Sequence, residues 1–216
     1  MKRLVLLSLA FMSSLYAQQT ELKSAFISAN LGAYVVAQSQ FDKVYDSNIG
    51  FMPGITLGLP LSIRTYIYGK ASYFFKNGTP INYTYDLQNG NFVLVSESKE
   101  GTAKFREWLF NIGLLYNIFL SEEYTLGING GLTLVSLYEE KKNSSYSVTS
   151  KGGGLLGFFG GLIIERNFEN SPFSAIGAIS YNLSRGDIQS FAGNYGGLNV
   201  NLGVRYYFND RKRTAQ

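Results

Sequence analysis

The chain has 216 residues, with 19 Lys and Arg, 15 Asp and Glu, 16 Tyr, 16 Phe, 24 Gly, and neither Cys nor His. No disulfide, thiolate zinc site, cysteine nucleophile or imidazole base is available, which removes most hydrolase mechanisms. A formal net charge of +4 is too small and too diffuse for nucleic-acid binding, and a charged fraction of 16% lies well below the roughly 25% of soluble domains.

The first seventeen residues carry a targeting signature. Lys2 and Arg3 form a basic start, Leu4 to Met12 a short apolar run, and Ala17 a small residue before Gln18 and Gln19. The run is too short for a membrane-spanning helix, which needs about 20 residues, so residues 1–17 read as a cleaved secretory signal peptide. Removing Lys2 and Arg3 leaves 17 basic against 15 acidic residues, a nearly neutral mature chain.

From there on helical periodicity is nearly absent, and stretches of alternating polarity predict strands at about 25–37, 50–59, 64–75, 106–119, 124–137, 153–165, 173–184 and 195–208. The last is the cleanest. Leu198, Val200, Leu202, Val204, Tyr206 and Phe208 take one parity, and Asn199, Asn201, Gly203, Arg205 and Tyr207 the other. The strand at 106–119 repeats this, with Trp108, Phe110, Ile112, Leu114, Tyr116 and Ile118 on one side. Alternation alone does not say which side is inside, but composition does. A water-facing parity would be about 25 to 35% charged. Here it holds Asn, Gly, Ser, Thr and Tyr, which suit a narrow barrel interior, so the apolar parity is expected to face lipid.

Connections alternate in length, short after the second, fourth and sixth strands and longer after the first, third, fifth and seventh. That is how a transmembrane barrel arranges turns on one side and loops on the other, with both termini at the turn side. Aromatic residues near predicted strand ends are expected in two interfacial girdles: Trp108, Tyr34, Phe75, Phe119, Tyr124, Phe168, Phe173, Tyr181, Tyr195, Tyr207 and Phe208. Within the longest connection, Ile81 to Leu87 and Phe92 to Ser96 flank Asn89-Gly90, a strong turn signal. A protruding hairpin is expected there, with Tyr83, Tyr85 and Phe92 as a loop interaction surface. Counting its arms as membrane strands gives a ten-strand alternative, for which they are short. Gly152-Gly153-Gly154 is expected to relieve crowding in the curved wall.

The signal ending in Ala17, the eight alternating segments and the terminal strand together resemble the small outer-membrane β-barrel proteins of Gram-negative bacteria, the OmpA/OmpX-like group and its Bacteroidota-type relatives. Asn201, Gly203, Tyr206 and Phe208 match that family's C-terminal assembly signal. The resemblance covers essentially the whole mature chain and implies an eight-stranded antiparallel up-and-down barrel over 18–208, inserted by the barrel assembly machinery among outer-membrane lipids and lipopolysaccharide. The family commonly ends on its terminal aromatic, whereas a basic stretch, 209–216 with Arg211-Lys212-Arg213, follows here and reads as a periplasmic tail.

Arg64, Lys70, Glu107, Glu165 and Arg205 fall on the inward parity and are expected to form a structural lumen network of ion pairs and hydrogen bonds. Outer-membrane barrel enzymes of known type use His, absent here, and the doublets Glu122-Glu123 and Glu139-Glu140 read as solvated carboxylates. No catalytic residue, cofactor or metal is expected. The expected role is non-enzymatic: envelope support, or adhesion and docking to a surface protein or glycan through the loops, as a monomer that binds no nucleic acid. Two alternatives remain, a narrow pore and a soluble periplasmic lipocalin-like barrel whose apolar parity would point inward around a ligand.

Overall fold

In the computed structural model, residues 24–38, 41–88, 91–188 and 191–208 are described. The signal segment 1–17, the Asn89-Gly90 turn and the tail 209–216 lie outside them. The elements are β1 (Phe26–Val36), the single-turn helix α1 (Phe41–Tyr45), β2 (Ile49–Pro60), β3 (Thr65–Gly78), β4 (Ile81–Gln88), β5 (Asn91–Lys99), β6 (Thr102–Leu120), β7 (Tyr124–Lys142), β8 (Ser147–Asn167), β9 (Phe173–Ile188), β10 (Phe191–Asn194) and β11 (Gly197–Tyr207).

Eight of the strands form a closed ring in the order β1, β2, β3, β6, β7, β8, β9, β11, with β11 returning to β1; every neighbouring pair is antiparallel. Closure satisfies the backbone of every ring strand within the sheet, which lipid requires. Paired residues followed once around run from Tyr124 through Arg166, Ala175, Val204, Ala29, Ile55, Ala71 and Phe110 to Leu134. The row therefore climbs ten residues along β7 (134 − 124). Such a stagger belongs to strands tilted by about 35 to 45°, in a ring just wide enough for side chains to fill.

Parity decides what faces where. Leu202 is 72% exposed and Phe51 71%, while Asn199, Asn201 and Arg205 are buried. The apolar parity thus forms the outer wall, opposite to what a lipocalin-like ligand barrel needs. Residue size sets the close approaches. Gly113 on β6 lies opposite Gly131 on β7, and a Cβ at Gly131 would stand 2.2 Å from the Ile112 carbonyl oxygen. On β8, Gly154 adopts φ +77° where Gly152 and Leu155 straddle the pairing with Leu137 and Val135, so the glycines form a bulge.

The turns 61–64, 121–123 and 168–172 lie at one end, with the N-terminal end of β1 and the C-terminal end of β11; the long connections lie at the other. Strands β4 and β5 pair only with each other, as a hairpin prolonging β3 and β6 beyond the ring. They add no strand to it, so the count stays at eight. Its root is held by Lys99 Nζ to Asp46 Oδ1 at 3.1 Å, and by Tyr146 Oη and Asn143 Nδ2 donating to Asn82 Oδ1 at 3.0 and 3.1 Å.

Candidate functional site

Two apolar plugs and a polar layer fill the lumen. At the short-turn end Phe26, Tyr66, Tyr68, Leu115, Phe159, Ile163 and Tyr207 pack together. At the long-loop end α1 folds into the mouth: Phe41 stacks on Tyr45 at 4.4 Å and meets Phe105 edge-on at 5.0 Å, against Phe74, Leu109 and Val135. Between the plugs the groups are mostly neutral amides and hydroxyls, with Thr133 Oγ1 donating to Asn111 Oδ1 at 2.7 Å and Asn30 Nδ2 to Thr56 Oγ1 at 3.2 Å. The cavity beside Lys70 and Asn201 measures about 10 Å³, room for at most one water, so the polar layer between the plugs is packed.

The expected lumen residues divide into three sites and one exception. Arg205 Nη1 lies 2.5 Å from Glu165 Oε2, and its guanidinium carbon sits 3.8 Å from the Phe26 ring centroid. Ser174 and Tyr207 donate to the same carboxylate, the latter at 2.9 Å, and Arg205 Nε donates to Ser28 Oγ at 3.2 Å. Lys70 stands apart in the polar layer, reaching Asn199 Oδ1 at 3.5 Å. Glu107, fully buried nearer the mouth, accepts from Tyr34 Oη at 3.2 Å, while its Oε2 has no partner. Arg64 is the exception. It lies in the turn after β2 and is exposed, because the alternation of β3 starts only at Thr65.

Several sequence expectations fail at the two ends of the barrel, where inward parity buries the residue. Tyr34, Tyr195 and Tyr207 are buried inside, not in a girdle, because their parity points inward. The other eight girdle candidates are exposed on the outer surface. Glu139, read as solvated, is 4% exposed; it accepts from Tyr45 Oη at 2.5 Å and pairs with Lys141 at 3.0 Å. Burial, with the Glu139 carboxylate close by, holds the Tyr45 phenol well above its ordinary range, and burial does the same to Tyr195. Helix α1 went unread in the sequence. Its signal was Phe41 and Tyr45, one helical turn apart in a polar connection.

The hairpin puts its expected residues on one face. Register pairs Tyr83 with Glu97, Tyr85 with Leu94 and Leu87 with Phe92, with a bulge between Thr84 and Tyr85, and the Tyr83 and Tyr85 rings lie 6.4 Å apart. Every side chain from Tyr83 to Gln88 is exposed, Phe92 by 78%. Of the terminal-strand residues, Asn201 and Gly203 take the inward parity and Tyr206 and Phe208 the outward one. Tyr206 packs against Phe173 at 5.1 Å and Phe208 at 5.3 Å. Among the described residues no three acidic side chains converge as a metal site would need.

No protein-family model matches the sequence, and no curated protein is significantly similar to it. Solved structures do share the fold. Neisserial surface protein A superposes with a TM-score of 0.57 at 12% identity, covering 85% of this chain and 97% of that one. Ail, the attachment invasion locus protein of Yersinia pestis, solved in complex with the heparin analogue sucrose octasulfate, gives 0.50 at 12% identity, covering 88% and 100%. At that identity the likeness is one of fold: an eight-stranded antiparallel transmembrane β-barrel of the outer-membrane kind.

Proposed function

We propose that this chain is a non-enzymatic protein of a Gram-negative outer membrane, of the OmpA/OmpX-like kind, that acts at the cell surface through the β4–β5 hairpin. One observation carries the reading: a packed barrel that offers no open lumen projects a hairpin whose aromatic and aliphatic face is wholly exposed. A two-stranded hairpin alone is marginal in water, and among the described residues neither of its outer edges pairs with another strand. Its apolar face and free edges suit an extended partner segment added as a further strand, or a surface glycan stacked on Tyr83, Tyr85 and Phe92. The Yersinia barrel of the same fold carries attachment in its name, which supports a surface role.

In this reading residues 1–17 are removed on export, the barrel over 18–208 is inserted by the assembly machinery through Asn201, Gly203, Tyr206 and Phe208, and 209–216 remain in the periplasm. The protein is a monomer among lipopolysaccharide and other outer-membrane lipids, with the hairpin outside the cell. The packed lumen argues against a pore.

Proteoliposomes carrying the full-length protein test this on surfaces coated with heparin, with other glycans and with matrix proteins. Wild type is expected to be retained on at least one, and Y83S/Y85S/F92S to lose about tenfold of that retention, roughly 1.4 kcal/mol, while staying a folded barrel. Equal retention of both, or none of either, contradicts the reading.

A further inference from the structure

The outer wall of β6 is graded along its length. Its outward residues, from the long-loop end, are Lys104, Arg106, Trp108, Phe110, Ile112, Leu114 and Tyr116: two cations, two large aromatics, two aliphatics and another aromatic. That is the depth profile of a bilayer, from headgroup through acyl chain to the far interface. Beside Trp108, Tyr73 packs at 4.6 Å and Phe110 stacks at 6.0 Å, giving a rigid aromatic shelf.

Above that shelf stand the outward cations Lys104, Arg106 and Lys151, with one outward carboxylate, Glu140, among them. Arg106 pairs in register with Tyr138, and Tyr138 with Lys151, so a hydrogen-bonded row Arg106, Tyr138, Lys151 crosses β6 to β8 and climbs toward the loops. Two inter-strand steps separate the two cations, about 10 Å. The Arg106 guanidinium sits over the Tyr138 ring at 5.6 Å, and no carboxylate among the described residues lies within ion-pair distance of Arg106 or Lys151. Lys104 has a loose partner, Glu140 at 3.8 Å. On the opposite wall the corresponding outward residues are Val35, Leu198 and Ile49, all apolar. Arg185 on β9 is a further exposed cation at this rim, but the three on β6 and β8 stand directly above aromatics.

We infer that Lys104, Arg106 and Lys151 form a cradle for the phosphate of an outer-leaflet glycolipid whose acyl chains lie on Trp108 and Phe110. The occupant follows from continuity and charge. The cradle is the upward continuation of the lipid-facing wall, so the molecule that meets it is one whose chains are already on that wall. The cations require that its headgroup be anionic, and the fork of Arg106, held by Tyr138, presents paired donors to phosphate oxygens. The inference rests on the outer-membrane placement proposed above, and it adds a lipid contact independent of the hairpin.

Native mass spectrometry of the folded full-length barrel, loaded with bisphosphorylated lipid A or with the same lipid after enzymatic dephosphorylation, reads the site directly. Wild type is expected to retain the phosphorylated lipid at least about tenfold better, and K104Q/R106Q to lose that preference while R166Q, at the opposite end of the barrel, keeps it. Folding is checked by the mobility shift on boiling. A folded wild type with no preference for phosphate, or a K104Q/R106Q barrel that keeps it, overturns the cradle and leaves the barrel reading intact. A wild-type chain that shows no shift on boiling overturns both.

Discussion

Arg205 Nη1 and Glu165 Oε2 meet at 2.5 Å across the lumen, from strands β11 and β8 that are not neighbours in the ring. The contact spans the closed space between them, and Phe26, Ser28, Ser174 and Tyr207 hold it in place. With both residues nearly inaccessible, neither charge has water as an alternative partner. Removing one leaves the other buried and uncompensated, which costs about 3 to 5 kcal/mol. R205M and E165L are each expected to lower the unfolding free energy of the lipid-embedded barrel, read from urea titration, by that amount. R205M/E165L, which removes both charges, is expected to recover more than half of it. A double variant no more stable than the singles would show that the pair contributes through attraction rather than by mutual neutralisation.

The ring was legible in the sequence because each strand carries its own instruction: Leu202 and Val204 outward, Asn201 and Arg205 inward, with a register slip exposing the whole set to the wrong medium. The loop-end mouth was not legible, because there the outside is water and charge no longer separates the faces. Glu139 and Glu140 are adjacent and chemically identical, yet the first turns inward to Tyr45 and the second outward toward Lys104. Nothing local distinguishes them. The strand continues several residues past its expected end at 137, and it is that extension which carries their parity. Arg64 failed conversely: it sits one residue before β3, where turn geometry replaces alternation. The hairpin was readable from Asn89-Gly90 and its flanking arms, while the plug formed by Phe41 and Tyr45 depends on the rings of Phe74 and Phe105, 33 and 64 residues beyond Phe41 (74 − 41 and 105 − 41).

Helix α1 is a stopper of two aromatic side chains, and its removal is expected to open the mouth without unfolding the ring. F41A costs about 3 to 5 kcal/mol of local packing. Amide hydrogen exchange should rise in 41–48 and in the mouth ends of β3 and β6, with the boiling-dependent mobility shift retained. Loss of that shift would show that α1 supports the ring itself.

The same stopper is sensitive to alkali. The Tyr45 phenol is held above its ordinary value, 10.0, chiefly by burial and then by Glu139, so an opened mouth ionises it before a closed one. The stabilisation is therefore present in full below about pH 10, where an unfolded tyrosine is still neutral, and is lost as pH rises beyond it. Exchange protection at the mouth is expected to be flat from pH 6 to about pH 9 and to fall above about pH 10. Y45F is expected to flatten that fall, leaving the smaller contribution of Tyr195, raised in the same direction. An unchanged alkaline profile in Y45F would assign the effect elsewhere.

Gly113 and Gly131 test how closely β6 and β7 approach. A Cβ on Gly113 would stand 2.1 Å from the Gly130 carbonyl oxygen, and that atom belongs to a hydrogen-bonded backbone with no room to retreat. G113A and G131A are each expected to destabilise the barrel by about 1 to 3 kcal/mol. G153A, where nothing lies within 4 Å of the added carbon, is expected to be within about 0.5 kcal/mol of wild type. Equal urea midpoints for all three would mean that the strands can separate locally at no cost.

A closed barrel with an apolar outer wall needs an outer membrane around it. Electrophoresis of the outer-membrane fraction, extracted in detergent and run with and without boiling, tests it most directly. The barrel account predicts that the full-length protein is found in that fraction and migrates differently before and after boiling, because the closed ring resists detergent until heated. A protein recovered from the soluble periplasm with a single mobility in both lanes would contradict it.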